Sequence, residues 1–260
     1  MYRPLIYTCC YGGQQYFDCL ALMLKSLYVF GRYRGGILVV TDRPEAQVAV
    51  PDDMTDMVHI LCCDPIGMST RFRVHKFIGA CDSPLLYIDS DIIITQEIDP
   101  VLRVMYAKSG MYVCRDITLI PKFANVPASA ITDENANWWG LNLFLDDVAL
   151  RDRPLLGLNS GHFAFSSRHL FERSGRQIHD MYTSERWSSL ASRFTDQPFF
   201  NYVLAKSGPP IDPGLLSQVA LVDSAETATQ MRRLFVHFSW TRDKPQEMSK
   251  YVDFLECSIG

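Results

Sequence analysis

Two acidic residues, Asp89 and Asp91, interrupt an otherwise apolar run, "LLYIDSDIII", at residues 85–94. Residues two apart on an extended chain point to the same side, with about 7 Å between them along a strand. A buried charge is costly unless it is paired or binds a cation, so we expect both acids where the strand leaves the core. If the chain turns there, the two carboxylates can share one hard divalent cation such as Mg²⁺ or Mn²⁺. Taken alone, the pair also fits a capped strand end with solvated acids.

The elements that must position these acids alternate between strand and helix. Apolar runs predict strands at 4–10, 35–42, 57–63, 84–94, 111–116, 158–167 and 233–239. Helical periodicity predicts helices at 15–31, 71–81, 99–110, 196–208 and 245–257. This alternation indicates an α/β fold with a largely parallel sheet, and such sheets bind ligands outside the carboxyl ends of their strands. Both acids lie at such an end, whereas residues 117–158 lack periodicity and predict a loop-rich insertion.

Composition limits the possible classes of protein. The 260 residues are 48% hydrophobic, enough for the core of one large domain, and we predict a single domain over 1–260. A net charge of -4 without a Lys/Arg-rich run argues against a nucleic-acid partner. No apolar stretch approaches a membrane span, and residues 1–10 lack the pattern of a signal peptide.

The eight cysteines favour a reduced, cytoplasmic protein. Neighbouring cysteines lack the CxxC spacing of a zinc site. Most lie in or beside apolar, strand-like runs, where cysteine behaves as a small hydrophobe: Cys9, Cys10, Cys62, Cys63, Cys81 and Cys114.

Four ordered segments carry a family resemblance: "YIDSD" from 87, "LNSGHFAF" from 158, "TDQPFFN" from 195 and "VHFSWTRDKP" from 236. Together they resemble the retaining glycosyltransferases of family 8, the glycogenin and lipopolysaccharide galactosyltransferase group. The resemblance implies the GT-A fold, a single Rossmann-like domain with a central, mostly parallel mixed sheet flanked by helices. It also implies transfer of a hexose from a UDP-sugar to an acceptor hydroxyl with retention of configuration. UDP-glucose and UDP-galactose are the leading donor candidates.

By this resemblance, Asp89, Asp91 and His237 bind Mn²⁺, or Mg²⁺, at the nucleotide diphosphate. The chemistry agrees, because two carboxylates and an imidazole suit Mn²⁺ and the ion neutralises charge on the departing diphosphate. A strand histidine with satisfied hydrogen bonds is the alternative for His237 alone.

Lys244 matches the family lysine that contacts the diphosphate, where an ammonium adds positive charge. Its spacing from His237 is one residue longer than in glycogenin-like proteins. Trp240 stands where a small residue is usual, and Gln246 replaces the tryptophan that commonly follows KP. A solvated loop charge is the alternative for Lys244.

The remaining donor contacts are also implied by resemblance. Thr8 and Tyr11 match the positions that hold the uracil, by main chain and by ring stacking. Ser90, between the two acids, is included among the donor-binding residues. Arg73 and its neighbour Lys76, on the predicted helix before the acids, are candidates for donor contact, although an exposed helix face would explain Lys76 nearly as well.

The donor sugar is assigned to two segments, Asn159–Ser160–Gly161 and Asp196–Gln197. An amide can bond sugar hydroxyls and a glycine permits close backbone approach. Retention requires one of two mechanisms. Either a covalent intermediate forms, for which Asp196 is the candidate nucleophile, or the acceptor attacks from the same face of the sugar from which the leaving group departs. We favour same-face attack, because the leaving phosphate can accept the proton. Asp196 could instead, or in addition, cap the predicted helix.

The sequence does not identify the acceptor, which can be a glycan, a lipid-linked sugar, a small metabolite or a protein. It does not give the oligomeric state either. Trp138 and Trp139 in the 117–158 insertion, which we expect to shape the acceptor site, could stack on sugar rings or cover a core. Two other functions compete. A catalytically silent scaffold of the same fold would bind nucleotide sugar or glycan, and a haloacid dehalogenase-like phosphatase partly matches "IDSDIIIT" but normally opens with that motif.

Overall fold

The structure, a computed structural model, describes residues 2–65, 67–79, 83–116, 120–208, 210–231 and 233–258. Its strands in chain order are β1 (Leu5–Cys10), β2 (Gly36–Thr41), β3 (Val58–Cys62), β4 (Leu85–Ile88), β5 (Ile92–Ile94), β6 (Met111–Arg115), β7 (Leu158–Phe165), β8 (Ile211–Asp212), β9 (Val219–Leu221) and β10 (Phe235–His237). Its α-helices are α1 (Gln14–Val29), α2 (Asp99–Ala107), α3 (Ile120–Phe123), α4 (Leu141–Asp146), α5 (Arg168–Tyr182), α6 (Ser188–Phe194), α7 (Gln197–Ser207), α8 (Ala225–Thr229) and α9 (Lys244–Cys257).

Two compact units divide the chain. Unit 1 comprises Met1–Pro65, Cys81–Lys108 and Gln218–Gly260, and unit 2 comprises Ile66–Ala80 and Ser109–Ser217. Each unit contains strands and helices, and most of the strand pairs are parallel. The predicted α/β class with mostly parallel strands flanked by helices is therefore confirmed, whereas the single-domain assignment stays a prediction.

In unit 1, four parallel strands run in the order β3-β2-β1-β4. Near-continuous apolar sequence suits strands that are buried on both faces, and β1, β2 and β4 are almost entirely buried. Helix α1 follows β1 and buries one stripe at helical spacing, including Leu20, Leu24 and Leu27.

A second sheet of unit 1, in the order β5-β10-β9, carries part of the candidate site. Ile93 of β5 and Val236 of β10 share one apolar core with Met248 and Val252 of α9. Ser26, fully buried in α1, donates to Met23 O at 2.7 Å and accepts from Ile94 N at 3.1 Å. These contacts fix β5, and hence the acids that precede it, against the body of unit 1.

In unit 2, β6 pairs antiparallel with β7 and parallel with β8. An aromatic core joins three elements: Phe72 stacks on Phe163 of β7 at 5.2 Å and on Phe200 of α7 at 5.8 Å between ring centroids. A second core gathers around Trp139 and Phe144. The first of these cores positions the sugar-binding segments assigned above.

Three predicted elements differ from the structure. The predicted strand 84–94 is two strands, β4 and β5, because the chain turns at residues 89–91. The predicted helix 71–81 is wrong over its described residues. Two 3-10 turns, Ser69–Phe72 and Val74–Lys76, occupy this part of the chain and bury most of their residues, so the segment lacks the regular exposed face of the predicted helix. Residues 80 and 81 lie outside the described residues.

The predicted loop-rich insertion 117–158 contains helices α3 and α4 and the 3-10 turns Ala128–Ala130 and Glu134–Trp139, while residues 117–119 lie outside the described ranges. Isolated turns of helix give too few periods for a sequence pattern to register.

Cysteines and helices bear on two further expectations. Seven described cysteines have free thiols, and Cys10, Cys19 and Cys114 are buried, whereas Cys62 at the end of β3 is exposed, contrary to the expectation of a packed side chain. Cys81 lies outside the described residues. None of the helices in the described ranges combines the length and apolar content needed to cross a lipid bilayer.

Candidate active site

The turn between β4 and β5 brings the two acids to the edge of the second sheet. Ile92 N donates to Asp89 O at 3.2 Å and closes the turn. Strand β5 then pairs antiparallel with β10, with Ile92 opposite His237, and Phe238 N donates to Asp91 O at 3.0 Å. Strand register therefore brings the late histidine beside the acids.

Asp89, Asp91 and His237 form a cluster whose potential ligand atoms all lie within 4.8 Å of one another. His237 Nε2 lies 3.2 Å from Asp91 Oδ1, and the imidazole is 5% exposed. The Lys244 ammonium, at the first residue of α9, donates to Asp91 Oδ2. The sequence analysis assigned Asp89, Asp91, His237 and Lys244 to one site, and the structure places these four side chains together.

Electrostatics inside the cluster favour the charged forms. Burial alone would raise the pKa of Asp91, but the charges of His237 and Lys244 and their hydrogen bonds outweigh it, so this pKa lies well below its usual range. Burial likewise opposes the charged forms of His237 and Lys244, and the Asp91 carboxylate raises both of their pKa values. Asp91 is thus a permanent anion at neutral pH.

The donor set fits a divalent cation. Two carboxylates and an imidazole match the oxygen and nitrogen ligands of Mn²⁺, and the carboxylates supply negative charge against a cation. Among the described residues, the buried Nδ1 of His237 has no hydrogen-bond partner, so one ring nitrogen remains uncommitted. These residues form the candidate metal-binding group of unit 1.

The other donor-binding candidates of unit 1 have different environments. Thr8 is fully buried on β1, beside the strand β2 with which it pairs at Val39, so its side chain is a core residue. Tyr11 follows the end of β1 and is half-buried, as is Ser90 in the turn. Their nucleotide contacts stay predictions.

In unit 2, Asp196 is fully buried against an arginine that the sequence interpretation did not select. Arg71 Nε lies 2.9 Å from Asp196 Oδ2, and the two side chains are 4% and 0% exposed. Ser160 Oγ donates to Asp196 Oδ1 at 3.2 Å. Arg71 Nη1 also donates to Ser160 O at 2.8 Å, so the arginine joins the two segments that the sequence analysis assigned to the donor sugar.

Asp196 is the N-cap residue of α7, at the predicted start of the helix, but its side chain makes no capping hydrogen bond. Its carboxylate instead faces Arg71 and Ser160. The preceding Thr195 has φ 57°, a left-handed conformation that is rare and strained for a β-branched residue. The fold therefore keeps Thr195 in a strained backbone conformation directly before Asp196, whose carboxylate forms the ion pair with Arg71.

Gln197 and Asn159 complete the polar set of unit 2. Gln197 is 7% exposed, and its Oε1 accepts from Ser160 N at 3.3 Å. Asn159 Oδ1 accepts from Gly161 N at 2.6 Å, which shapes the backbone of the β7 segment. All five residues assigned to the donor sugar therefore lie on two contacting elements, β7 and α7.

Asn201 is a second residue that the sequence interpretation missed. Fully buried, it accepts from Leu158 N at 2.7 Å and donates to Leu158 O at 2.8 Å and Gln197 O at 3.0 Å. It thereby fastens α7 to β7. Its position at the end of the segment "TDQPFFN" was the available signal, just as Arg71 lies two residues before the chosen Arg73.

Arg73 lies at the joint of the two 3-10 turns and is half-buried, while Lys76 is exposed. Their predicted placement on one α-helix is therefore wrong, because the segment forms 3-10 turns. Of the tryptophans in question, Trp139 packs in a core at 1% exposure, whereas Trp138 and Trp240 are 38% and 67% exposed.

Solved glycosyltransferases share this fold. An active-site mutant of LgtC is 12% identical, with a TM-score of 0.59, and the match covers 98% of this chain and 95% of LgtC. Galactosyltransferase LgtC in complex with donor and acceptor sugar analogs is 11% identical, with a TM-score of 0.57 and coverage of 96% and 95%. The bifunctional glycosyltransferase WbbM is 10% identical with a TM-score of 0.57; the match covers 96% of this chain and 49% of WbbM. No protein-family model and no curated protein matches the sequence. At these identities the likeness shows the fold alone, which is the predicted GT-A fold.

Proposed function

We propose that this chain, which has the fold of solved glycosyltransferases, is a retaining glycosyltransferase of family 8 that uses Mn²⁺ or Mg²⁺. It transfers a hexose, glucose or galactose, from a UDP-sugar to an acceptor hydroxyl. The observation that carries the proposal is the cluster of Asp89, Asp91 and His237, with ligand atoms within 4.8 Å of one another. The LgtC structure with donor and acceptor sugar analogs supports a sugar-nucleotide donor.

The residues of unit 1 would bind the diphosphate end of the donor. Asp89, Asp91 and His237 would hold the cation, which supplies positive charge against the departing diphosphate. Lys244 contacts the same carboxylate, Asp91, and would contribute a further positive charge to the diphosphate. Thr8 and Tyr11, at the end of β1, would hold the uracil.

The residues of unit 2 would bind and orient the sugar. Asp196 is fully buried, forms an ion pair with Arg71 and accepts a hydrogen bond from Ser160, which suits an orienting role better than nucleophilic attack. This burial supports same-face attack over a covalent intermediate. Gln197, Asn159 and the backbone of Ser160–Gly161 would then orient the sugar and stabilise the positive charge that it develops.

Calorimetry tests the metal site. UDP should bind wild-type protein more tightly with MnCl₂ than with EDTA, and Asp91→Ala should abolish that difference. Asp53→Ala, which removes an exposed acid of unit 1, is the matched control and should behave as wild type. Equal UDP affinity with and without the ion would show that the proposed site is wrong.

An NMR time course tests the reaction. Wild-type protein incubated with UDP-glucose or UDP-galactose and Mn²⁺ should slowly release free sugar, first as the α anomer that the donor carries. Initial release of the β anomer would contradict retention. Binding of UDP without release or transfer from either donor would favour the silent scaffold over the enzyme.

A further inference from the structure

Tyr87 approaches the candidate metal-binding group from inside the core of unit 1. It lies on β4 two residues before Asp89 and is 1% exposed. Its hydroxyl donates a hydrogen bond to Asp89 Oδ1. Nothing in the sequence interpretation assigned this tyrosine a role, because its apolar ring suits an ordinary strand position.

The two acids of the cluster accept hydrogen bonds from different side chains, although both lie near the charges of His237 and Lys244. Asp91 is held by cationic partners, the Lys244 ammonium and the His237 imidazole. Asp89 receives a hydrogen bond from a neutral phenol, which fixes the carboxylate without neutralising its charge. Hydrogen-bond partners behind the ligands of a metal set ligand orientation and are commonly as important as the ligands.

Packing makes Tyr87 a rigid donor. Strands β1 and β4 pair in parallel with Tyr7 opposite Tyr87, and the two rings pack at 5.2 Å between centroids. Both rings are almost fully buried, so the phenol has little freedom to leave its position. The hydroxyl is thus presented to Asp89 at low entropic cost.

We infer that Tyr87 is a positioning residue that orients the Asp89 carboxylate for a divalent cation, an inference that rests on the metal site of the proposed function. The phenol would act only through Asp89 and would not touch the cation. Loss of such a partner typically lowers metal affinity about 10- to 100-fold.

Mn²⁺ binding, measured by the electron paramagnetic resonance signal of free Mn²⁺ without nucleotide, tests this inference. Tyr87→Phe removes only the hydroxyl and should weaken Mn²⁺ binding about 10- to 100-fold. In an Asp89→Ala background the same substitution should have no further effect, because the side-chain oxygen that accepts the Tyr87 hydrogen bond is gone. The matched control is Tyr7→Phe, which removes a buried hydroxyl from the neighbouring ring and should leave Mn²⁺ affinity unchanged.

Urea unfolding of the variants separates positioning from a structural role, which would lower the free energy of unfolding without changing the Mn²⁺ dissociation constant. Wild-type Mn²⁺ affinity in Tyr87→Phe would overturn the inference and leave the proposed function intact. An equal loss in Tyr7→Phe, or an undiminished loss in the Asp89→Ala background, would also overturn it. Failure of the wild-type protein to bind Mn²⁺ would remove the proposed metal site and the inference with it.

Discussion

The buried ion pair between Arg71 and Asp196 gives the sharpest prediction of stability. Arg71→Met would leave the Asp196 carboxylate, 0% exposed, without its cation. Removal of one partner of a buried pair typically costs about 3–5 kcal/mol, because the remaining charge is desolvated and uncompensated. That loss is a large share of the stability of a typical protein, about 5–15 kcal/mol.

The surrounding contacts support the upper part of this range. Arg71 also donates to Met68 O at 3.0 Å and to Ser160 O at 2.8 Å, and the methionine side chain satisfies neither carbonyl. Adding Asp196→Leu would remove the orphaned charge. The double variant should therefore be more stable than Arg71→Met by about 2 kcal/mol, because apolar replacement of a buried pair is often close to neutral.

Urea unfolding followed by tryptophan fluorescence is the assay, since Trp138, Trp139 and Trp187 all lie in the unit that contains the pair. Arg186→Met is the matched control, because Arg186 pairs with Asp146 at 3.1 Å on the surface, with side chains 70% and 54% exposed. An exposed pair contributes at most about 1 kcal/mol.

A loss in Arg71→Met no larger than that in Arg186→Met would refute the reasoning. So would a double variant that is no more stable than Arg71→Met, since removal of the uncompensated buried charge should restore about 2 kcal/mol.

The remaining predictions concern proton binding, thiol reactivity and helix anchoring. Burial, then the charge of Arg73, lowers the pKa of His179. The stabilising contribution of neutral His179 is therefore present above its unfolded pKa of about 6.5 and falls as pH drops below that value. His179→Asn should flatten the pH dependence of the urea midpoint between about pH 7.5 and 5.5. An unchanged slope would contradict this prediction. Burial raises the pKa of Cys114 to about 12, so iodoacetamide should label exposed Cys257 well before Cys114, as peptide mass spectrometry would report; equal rates would refute it. Asn201→Leu should cost about 2–3 kcal/mol in urea unfolding, because it removes three buried hydrogen bonds, and a loss below about 1 kcal/mol would show that they contribute little.

Local patterns predicted the parts of the site that depend on neighbouring residues. The apolar run around Asp89 and Asp91 indicated a buried strand, and the two charges indicated an exit from the core, where the structure has its turn. Helix α7 likewise begins beside Asp196 as periodicity predicted, although the carboxylate turns to Arg71 instead of capping the helix. Periodicity and the cost of burying charge are properties of a short segment, so they can be inferred without knowing its partners.

The sequence by itself determined the α/β class and the order of most core elements and, through the family resemblance, it selected Asp89, Asp91 and His237 as the candidate metal-binding group. Tertiary structure alone decided that Arg71, rather than its neighbour Arg73, pairs with Asp196. Phe72 stacks on Phe163 of β7 and Phe200 of α7, and the preceding Arg71 is buried in the same 3-10 turn. Contacts between segments far apart in the chain depend on how whole elements pack, and packing overrides the helix propensity from which the local pattern was interpreted.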